Sequence, residues 1–425
     1  MKIWLMNHYA SDMFYNKAGR HYWFAKQLRD RGHEVTIFCA NTFLNKPDVV
    51  DTEKKKSIIK MAEEISTPFV FVKTRPSVGN GVDRVRNMYG FYKNLLPVAC
   101  NYAKNNYKPD VIVASSVHPL TMLAGLKIAK KLNVPCICEI RDLWPEAIFA
   151  FGKAKEKSIL GKFLVKKEHM IYKKADALIF TKEGDTDYLK ERGWTTEQGG
   201  DIDLAKCHYI NNGIDIKAYI DQIENMILPD DDLVAGAFNV VYTGTIRPVN
   251  NVGNLLDTAK IIEKEGYNDI KFLIFGDGMQ RAELEKRLTT ENIINVKFKG
   301  MVEKKYIPYI LSKSSVNMLN YAQNQYNWTR GNSSNKLFEY MASGKPIIST
   351  VKMGYSVINK YKCGVELEED TPECLAKEII RFYKMDAETY EEYGVNSKKG
   401  AKDFDFSCLT DRLMTVINEV TGNDA

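Results

Sequence analysis

The feature that most limits what this chain can fold into is a repeated succession of short, unbroken apolar runs, each followed by a loop and a helix-period segment. The N-terminus reads "KIWLMN", then a loop carrying Gly19, then "RHYWFAKQLRDRG" and "HEVTIFCA". Runs this short, without apolar–polar alternation, predict strands buried on both faces, which a parallel sheet flanked by helices provides. The succession recurs at "PDVIVASSVHP", "LTMLAGLKIAKKLN" and "VPCICEIRD", and the strands "ADALIFTKEG" and "KCHYINNGID" follow.

From about residue 237 the rhythm restarts. "FNVVYTGTI", "IKFLIFGDG", "NVKFKGMV", "SVNMLNYA" and "KPIISTV" read as strands with helical segments between them. The 425 residues are too many for one ordinary domain. The expected fold class is α/β, two Rossmann-like parallel-sheet domains whose strand ends face a cleft, where ligands of such sheets bind. The first domain is expected over residues 1–210 and the second over 236–400. The acidic, turn-rich "IENMILPDDDLVAGA" lies between them, and a final helix, about 404–425, is expected to pack back onto the first.

Composition removes several functional classes. A formal charge of +6, from 60 Lys and Arg against 54 Asp and Glu, is too mild to point to nucleic acid, and no zinc-finger or RNA-binding signature is present. The eight cysteines are scattered through apolar contexts, which predicts reduced thiols. Six dispersed histidines predict no metal, and no cofactor is expected. The first strand lacks a following GxGxxG, which argues against a dinucleotide-dependent dehydrogenase. Four consecutive apolar residues near the N-terminus are too few for a signal-peptide core, and no run approaches a membrane span of about 18 residues, so a cytoplasmic location is expected.

One segment, "TRGNSSNKLFEYMASGKPIIST", is electrostatically awkward. Ser333, Ser334 or Asn335 can cap a helix running to Ser343, and Gly344 with Pro346 stops it. Lys336 then lies in the first turn, where the helix dipole disfavours a cation, and Glu339 follows it in the weaker order for an intrahelical pair. A bound anion would reconcile Lys336 with its position; a solvated Lys–Glu surface pair is the alternative.

In order and spacing, "YTGTIRPVNN", "LIFGDGMQRAELE", "NVKFKGMV" and "SSNKLFEYMASGKPII" resemble the retaining glycosyltransferases of family 4, which have the two-domain GT-B fold. "NKAGRHYWFAKQLRDRGHEVTIF" resembles that family's first βαβ unit. "EIRDLWPEAI" resembles a subgroup, including N-acetylfucosamine-type transferases, that builds O-antigen, capsule and exopolysaccharide units. The resemblance covers nearly the whole chain and is weakest at residues 45–107 and 190–235. It implies an N-terminal acceptor domain and a C-terminal sugar-nucleotide domain. The implied reaction moves a hexose or deoxyhexose, N-acetylated, from a UDP-linked donor to a polyprenyl-diphosphate-linked saccharide, with retention. A UDP-sugar epimerase on the same fold and a sugar-nucleotide-binding protein without turnover are the alternatives.

Residue by residue, the resemblance places the ribose-binding carboxylate at Glu339 and sets Ser333, Ser334, Asn335 and Lys336 at the donor pyrophosphate. Thr245 and Arg247 follow the "TG" strand as donor contacts, Arg247 two residues later than the family's basic residue, with Asn250 where a lysine is common. Gly276 and Gly278 would let the backbone approach the nucleotide, an ordinary turn being the alternative. Gly300, between Lys299 and Met301, matches the base-reading edge. Lys336, Arg247 and helix dipoles would stabilise the departing phosphate, whose oxygen takes the acceptor proton. Gly331 stands where the family often has a second, sugar-contacting Glu.

In the N-terminal half, Gly19 resembles the glycine that touches donor phosphate and acceptor. His118 and Asp142 end strands, Asp142 being the better candidate for the reacting sugar. Arg141 and Glu146 complete "RDLWPE", where a buried ion pair bracing the loop is an equally good reading. Residues 149–174 interleave eight lysines with Phe149, Phe151, Ile159, Leu160, Phe163, Leu164 and Ile171. That pattern suits either an anionic membrane surface or a helix packed on its own domain. The basic, aromatic "RVRNMYGFYKNLL" is read as either a lipid-acceptor entrance or core.

Overall fold

The structure is a computed structural model that describes residues 1–79, 81–150, 152, 154–233, 236–323 and 328–422. The chain divides into two compact units, residues 1–211 with 409–425, and residues 212–408.

The first unit is built on an eight-stranded sheet. Its strands are β1 (Lys2–Met6), β2 (Glu34–Ala40), β3 (Ser57–Ala62), β4 (Thr67–Val72), β5 (Val111–Ser116), β6 (Cys136–Ile140), β7 (Ala177–Phe180) and β8 (Cys207–Tyr209). They lie in the order β3-β4-β2-β1-β5-β6-β7-β8. The central strands β5 and β6 are buried at every position, as their unbroken apolar runs require. Strand order reverses between β1 and β5, which opens a crevice beyond their carboxyl ends.

The sheet is not wholly parallel: β3 pairs antiparallel with β4. The segment "KSIIKMAEEISTPFVFVK" supplies this hairpin, which the parallel pattern does not announce because β3 is an edge strand with Ile59 and Met61 exposed. The basic segment 149–174 is also not one helix. A helix Trp144–Ala150 precedes a second, Ile159–Lys174, whose N-cap Ser158 accepts a bond from the Gly161 amide at 3.1 Å. Phe151 and Lys153 lie outside the described residues. Along the second helix burial differs between the two ends. Glu168, Ile171 and Tyr172 are buried in the unit, whereas Ile159 is 91%, Leu160 56% and Phe163 53% exposed. The helix Val82–Asn105 is divided in the same way: Met88, Phe91 and Leu95 are core, and Val85 and Tyr89 are exposed.

The second unit carries a parallel six-stranded sheet of β9 (Phe238–Thr243), β10 (Ile270–Phe275), β11 (Val296–Gly300), β12 (Val316–Leu319), β13 (Ile347–Ser349) and β14 (Gly364–Glu366). The order is β11-β10-β9-β12-β13-β14, so β9 and β12 flank the reversal. β14 is absent from the sequence reading; three residues after a Cys-Gly step leave almost no periodicity to detect. The acidic stretch between the repeats is anchored rather than loose. Lys299 on β11 bonds Asp230 and Asp232, each at 2.7 Å, and Lys297 pairs with Asp232. No helix among the described residues is long and apolar enough to cross a membrane.

Candidate functional site: a cavity in the second unit

The carboxyl ends of β9, β10 and β11 bring three loops together. The Gly244 amide donates to Phe275 O at 2.9 Å, Ile246 N to Asp277 O at 2.9 Å, and Gly276 N to Gly300 O at 2.8 Å. A side chain at Gly276, where φ is +148°, would meet Gly244 O at 1.8 Å, and one at Gly278 would meet Ile246 O at 2.2 Å. Both glycines are therefore required by loop-on-loop packing before any ligand is considered.

These loops and the helix Asn335–Ser343 enclose a cavity of about 310 Å³. Gly244, Thr245, Gly276, Asn335, Lys336 and Glu339 line it. Leu337, Phe338, Tyr340 and Met341 are buried and hold the helix in place, and Tyr340 OH lies 3.1 Å from Thr243 Oγ1 at the end of β9. Ser334 is the N-cap but gives no side-chain cap bond. Its Oγ instead accepts from Tyr321 OH at 3.0 Å, and its amide donates to Asn332 Oδ1 at 2.7 Å. The amides of the first turn are thus left without a side-chain acceptor, the arrangement that favours an anion.

Lys336 differs from a solvated surface lysine. Among the described residues its Nζ is buried with no hydrogen-bond partner, 4.7 Å from the centroid of the Tyr242 ring and 4.7 Å from that of Tyr321. Burial, with a smaller push from Arg247, lowers its pKa to about 7 against the opposing pull of Glu339. Glu339 pairs with Lys304 at 3.5 Å rather than sharing a surface pair with Lys336. Arg247 and Thr245 are exposed beside the cavity, and Thr245 Oγ1 donates to Asn250 at 3.2 Å. Ser333 is held through its carbonyl, which accepts from Asn212 at 2.6 Å. Gly300 ends β11, Met301 is 80% exposed at the cavity, and the Lys299 amine is committed to Asp230 and Asp232. Gly331 has φ +101°.

The remaining expected residues belong to the first unit. Gly19 caps the helix Arg20–Asp30. His118 follows β5 but is fully buried, its Nε2 2.6 Å from His8 Nδ1, and burial with nearby Arg84 lowers its pKa to about 3. Asp142 is exposed after β6, with Lys182 Nζ at 3.9 Å. Arg141 anchors its loop through backbone: its amide donates to Ser116 Oγ at 3.1 Å and its carbonyl accepts from Thr181 Oγ1 at 3.2 Å. Glu146 lies in the first turn of the helix Trp144–Ala150, and the Trp144 indole donates to Val117 O at 3.0 Å.

The buried ion pair of this region is a different one, Arg20 with Glu139. Arg20 Nε donates to Glu139 at 2.7 Å, and its other nitrogens donate to the carbonyls of Asn211 and Ile210. Ser115 and His21 complete the carboxylate's shell at 2.6 and 3.2 Å. Burial alone would raise the Glu139 pKa, but Arg20 and His21 outweigh it and hold the group well below the carboxylate range. A signal for this pair exists in the sequence: Glu139 is the one charge in the apolar run "CICEI", and a charge there demands a buried partner.

Comparison with known proteins finds glycosyltransferases along both units. Residues 22–218 match the family model described as Glycosyltransferase Family 4, and residues 237–385 match Glycosyl transferases group 1. TuaH of Bacillus subtilis, a glycosyltransferase assigned to teichuronic acid biosynthesis, is 25% identical over 65% of this chain and 65% of its own length. A 2-deoxystreptamine N-acetyl-D-glucosaminyltransferase of Niallia circulans is 23% identical over 60% of this chain and 61% of its own. These matches thus span less than two thirds of the relatives' lengths. Among solved structures, sucrose-phosphate synthase of Thermosynechococcus elongatus superposes with a TM-score of 0.69 at 16% identity over 100% of both chains. HepE of Anabaena, solved with UDP, gives 0.65 at 15% identity over 99% of this chain and 100% of its own. The chain has the two-domain α/β fold of the GT-B structures, and it is similar to the Glycosyltransferase Family 4 model in its first unit and to the Glycosyl transferases group 1 model in its second.

Proposed function

We propose that the chain is a retaining glycosyltransferase that moves an N-acetylated hexose or deoxyhexose from a UDP-linked donor to a polyprenyl-diphosphate-linked saccharide, in O-antigen, capsule or exopolysaccharide synthesis. The observation that carries the proposal is the Lys336 amine, buried without an acceptor among the described residues at the N-terminus of the helix bearing Glu339, in a cavity large enough for part of a nucleotide. Donor diphosphate gives that amine and the first-turn amides their missing acceptor. Glu339 accepts from the two ribose hydroxyls, releasing Lys304. As the bond to the sugar breaks, negative charge grows on the departing diphosphate, and Lys336 and Arg247 stabilise it. The UDP bound to the Anabaena protein supports uridine as the base.

The acceptor side of the proposal gives Asp142 a hydroxyl to orient and Gly19 a contact with the acceptor. Peripheral binding to the inner face of the cell membrane is supported by the exposed Ile159, Leu160 and Phe163, with Lys162, Lys166 and Lys167 on the same helix. A sugar-nucleotide-binding protein without turnover is the second reading, and Gly331 in place of a carboxylate is what favours it.

The test is thermal stabilisation of wild type and Glu339→Ala by UDP, GDP, ADP and UDP-sugars. UDP should stabilise wild type, and Glu339→Ala should bind it at least about tenfold more weakly, since hydrogen bonds to a charged acceptor contribute about 1.5–3 kcal/mol each. Equal stabilisation of both proteins would remove Glu339 from the site. Stabilisation by UDP-sugars without UDP release would select the second reading.

A further inference from the structure

Among the described residues, Lys336 is not the only lysine whose amine is dry and without a hydrogen-bond partner. Lys182 follows β7 in the first unit, its side chain is 6% exposed, and among the described residues its Nζ is buried without a hydrogen-bond partner. A buried polar group left unpaired is costly, so one that persists needs an explanation. Asp142 Oδ1 lies 3.9 Å away, on a side chain that is 62% exposed. That separation is too long for a direct hydrogen bond. One oxygen about 2.8 Å from each group would bridge it with an angle of about 90°, and a small outward shift of Asp142 would relax that angle. A hydroxyl suits such a gap, because it accepts from the amine and donates to the carboxylate at once. A phosphate does not, since Asp142 would repel it.

We propose that Lys182 and Asp142 form a sugar-hydroxyl subsite, with Lys182 donating to, and Asp142 accepting from, one hydroxyl of the acceptor saccharide. This rests on the glycosyltransferase reading above and adds to it a second residue and a ligand class. Arg141 and Thr181 serve as its frame: the Thr181 hydroxyl bonds the Arg141 carbonyl and ties the loop before Asp142 to the end of β7 that carries Lys182. The exposed Asp142 is the movable half of the pair, and its displacement uncovers the buried Lys182 amine for the hydroxyl.

The subsite predicts that stability and binding part company. Lys182→Met keeps the stem's packing and removes the orphaned amine, so the unliganded variant should melt at or above the wild-type temperature. The probe is farnesyl-diphosphate-linked N-acetylglucosamine, read by the thermal shift it produces. Wild type should be stabilised by it, and Lys182→Met and Asp142→Asn should each weaken its binding at least tenfold. The double variant should be no weaker than either single one, as expected of two groups that share one hydroxyl. A Lys182→Met protein that melts several degrees lower would show the amine to be a structural partner of Asp142 and would overturn the proposal. So would additive losses, unchanged probe binding in the variants, or a probe that leaves wild type unshifted. UDP stabilisation, measured in the same proteins, reports on the cavity of the second unit. Its absence in wild type would sink the donor reading while the melting temperature of Lys182→Met still judges the subsite.

Discussion

Lys336 carries the most information per atom in this chain. Its pKa of about 7 lies below the ordinary lysine value of 10.5, so between those pH values the unfolded chain holds a proton that the folded chain has released. The Lys336 contribution to stability therefore rises with pH across that window and is least favourable below pH 7, where the folded state must bury the charge. Lys336→Met should flatten the rise, measured as unfolding midpoints from pH 6 to 9. A bound diphosphate favours the charged form, so UDP binding at pH 8 should take up protons in wild type and not in Lys336→Met, read by calorimetry in buffers of different ionisation enthalpy. Gly331 makes the opposite point. Its φ of +101° is strained for any residue with a side chain, so Gly331→Glu should lower stability by about 1–3 kcal/mol rather than install a sugar contact. Chemical denaturation of the two proteins checks this.

At the scale of elements, each strand end does different work. In the second unit the ends of β9 and β10 are pressed together so closely that Gly276 and Gly278 serve the loops first. Gly276→Ala should therefore destabilise the protein even without nucleotide. In the first unit the ends of β5 and β6 and the start of the helix Arg20–Asp30 meet at Arg20, His21, Ser115 and Glu139. Removing one partner of a buried ion pair leaves the other uncompensated, so Glu139→Gln should cost about 3–5 kcal/mol of stability, measured by urea denaturation. The helix Ile159–Lys174 is different: its N-terminal end has no core to lose. Replacing Ile159, Leu160 and Phe163 with Ser should leave the melting temperature within about 1 °C. The same change should abolish co-sedimentation with vesicles containing phosphatidylglycerol if this face meets the membrane.

Across the whole molecule, the two units separate chemistry by sequence position. The cavity with Lys336 and Glu339 lies within residues 212–408, so UDP alone should give its strongest hydrogen-exchange protection in that unit, at the loops after β9, β10 and β11 and at residues 333–340. Strands such as β5 and β9 were legible in the sequence because burial on both faces leaves no freedom but an apolar run. The helix Asn335–Ser343 was legible because a polar cap, one apolar face and Gly344 set its limits locally. The β3–β4 hairpin and β14 were not, since an edge strand or a three-residue strand is selected by its neighbour, not by its own pattern. The sequence by itself thus determined the doubly wound parallel architecture, its restart near residue 237 and the placing of a lysine in the first turn of a helix. Only the tertiary structure decided that Lys336 is dry against Tyr242 and Tyr321, that Glu139 answers Arg20, that His118 is sealed inside, and that Lys182 waits beside Asp142. Burial and pairing are relations between residues far apart in the chain, and hydrophobic periodicity records only which face is buried, not what it meets there.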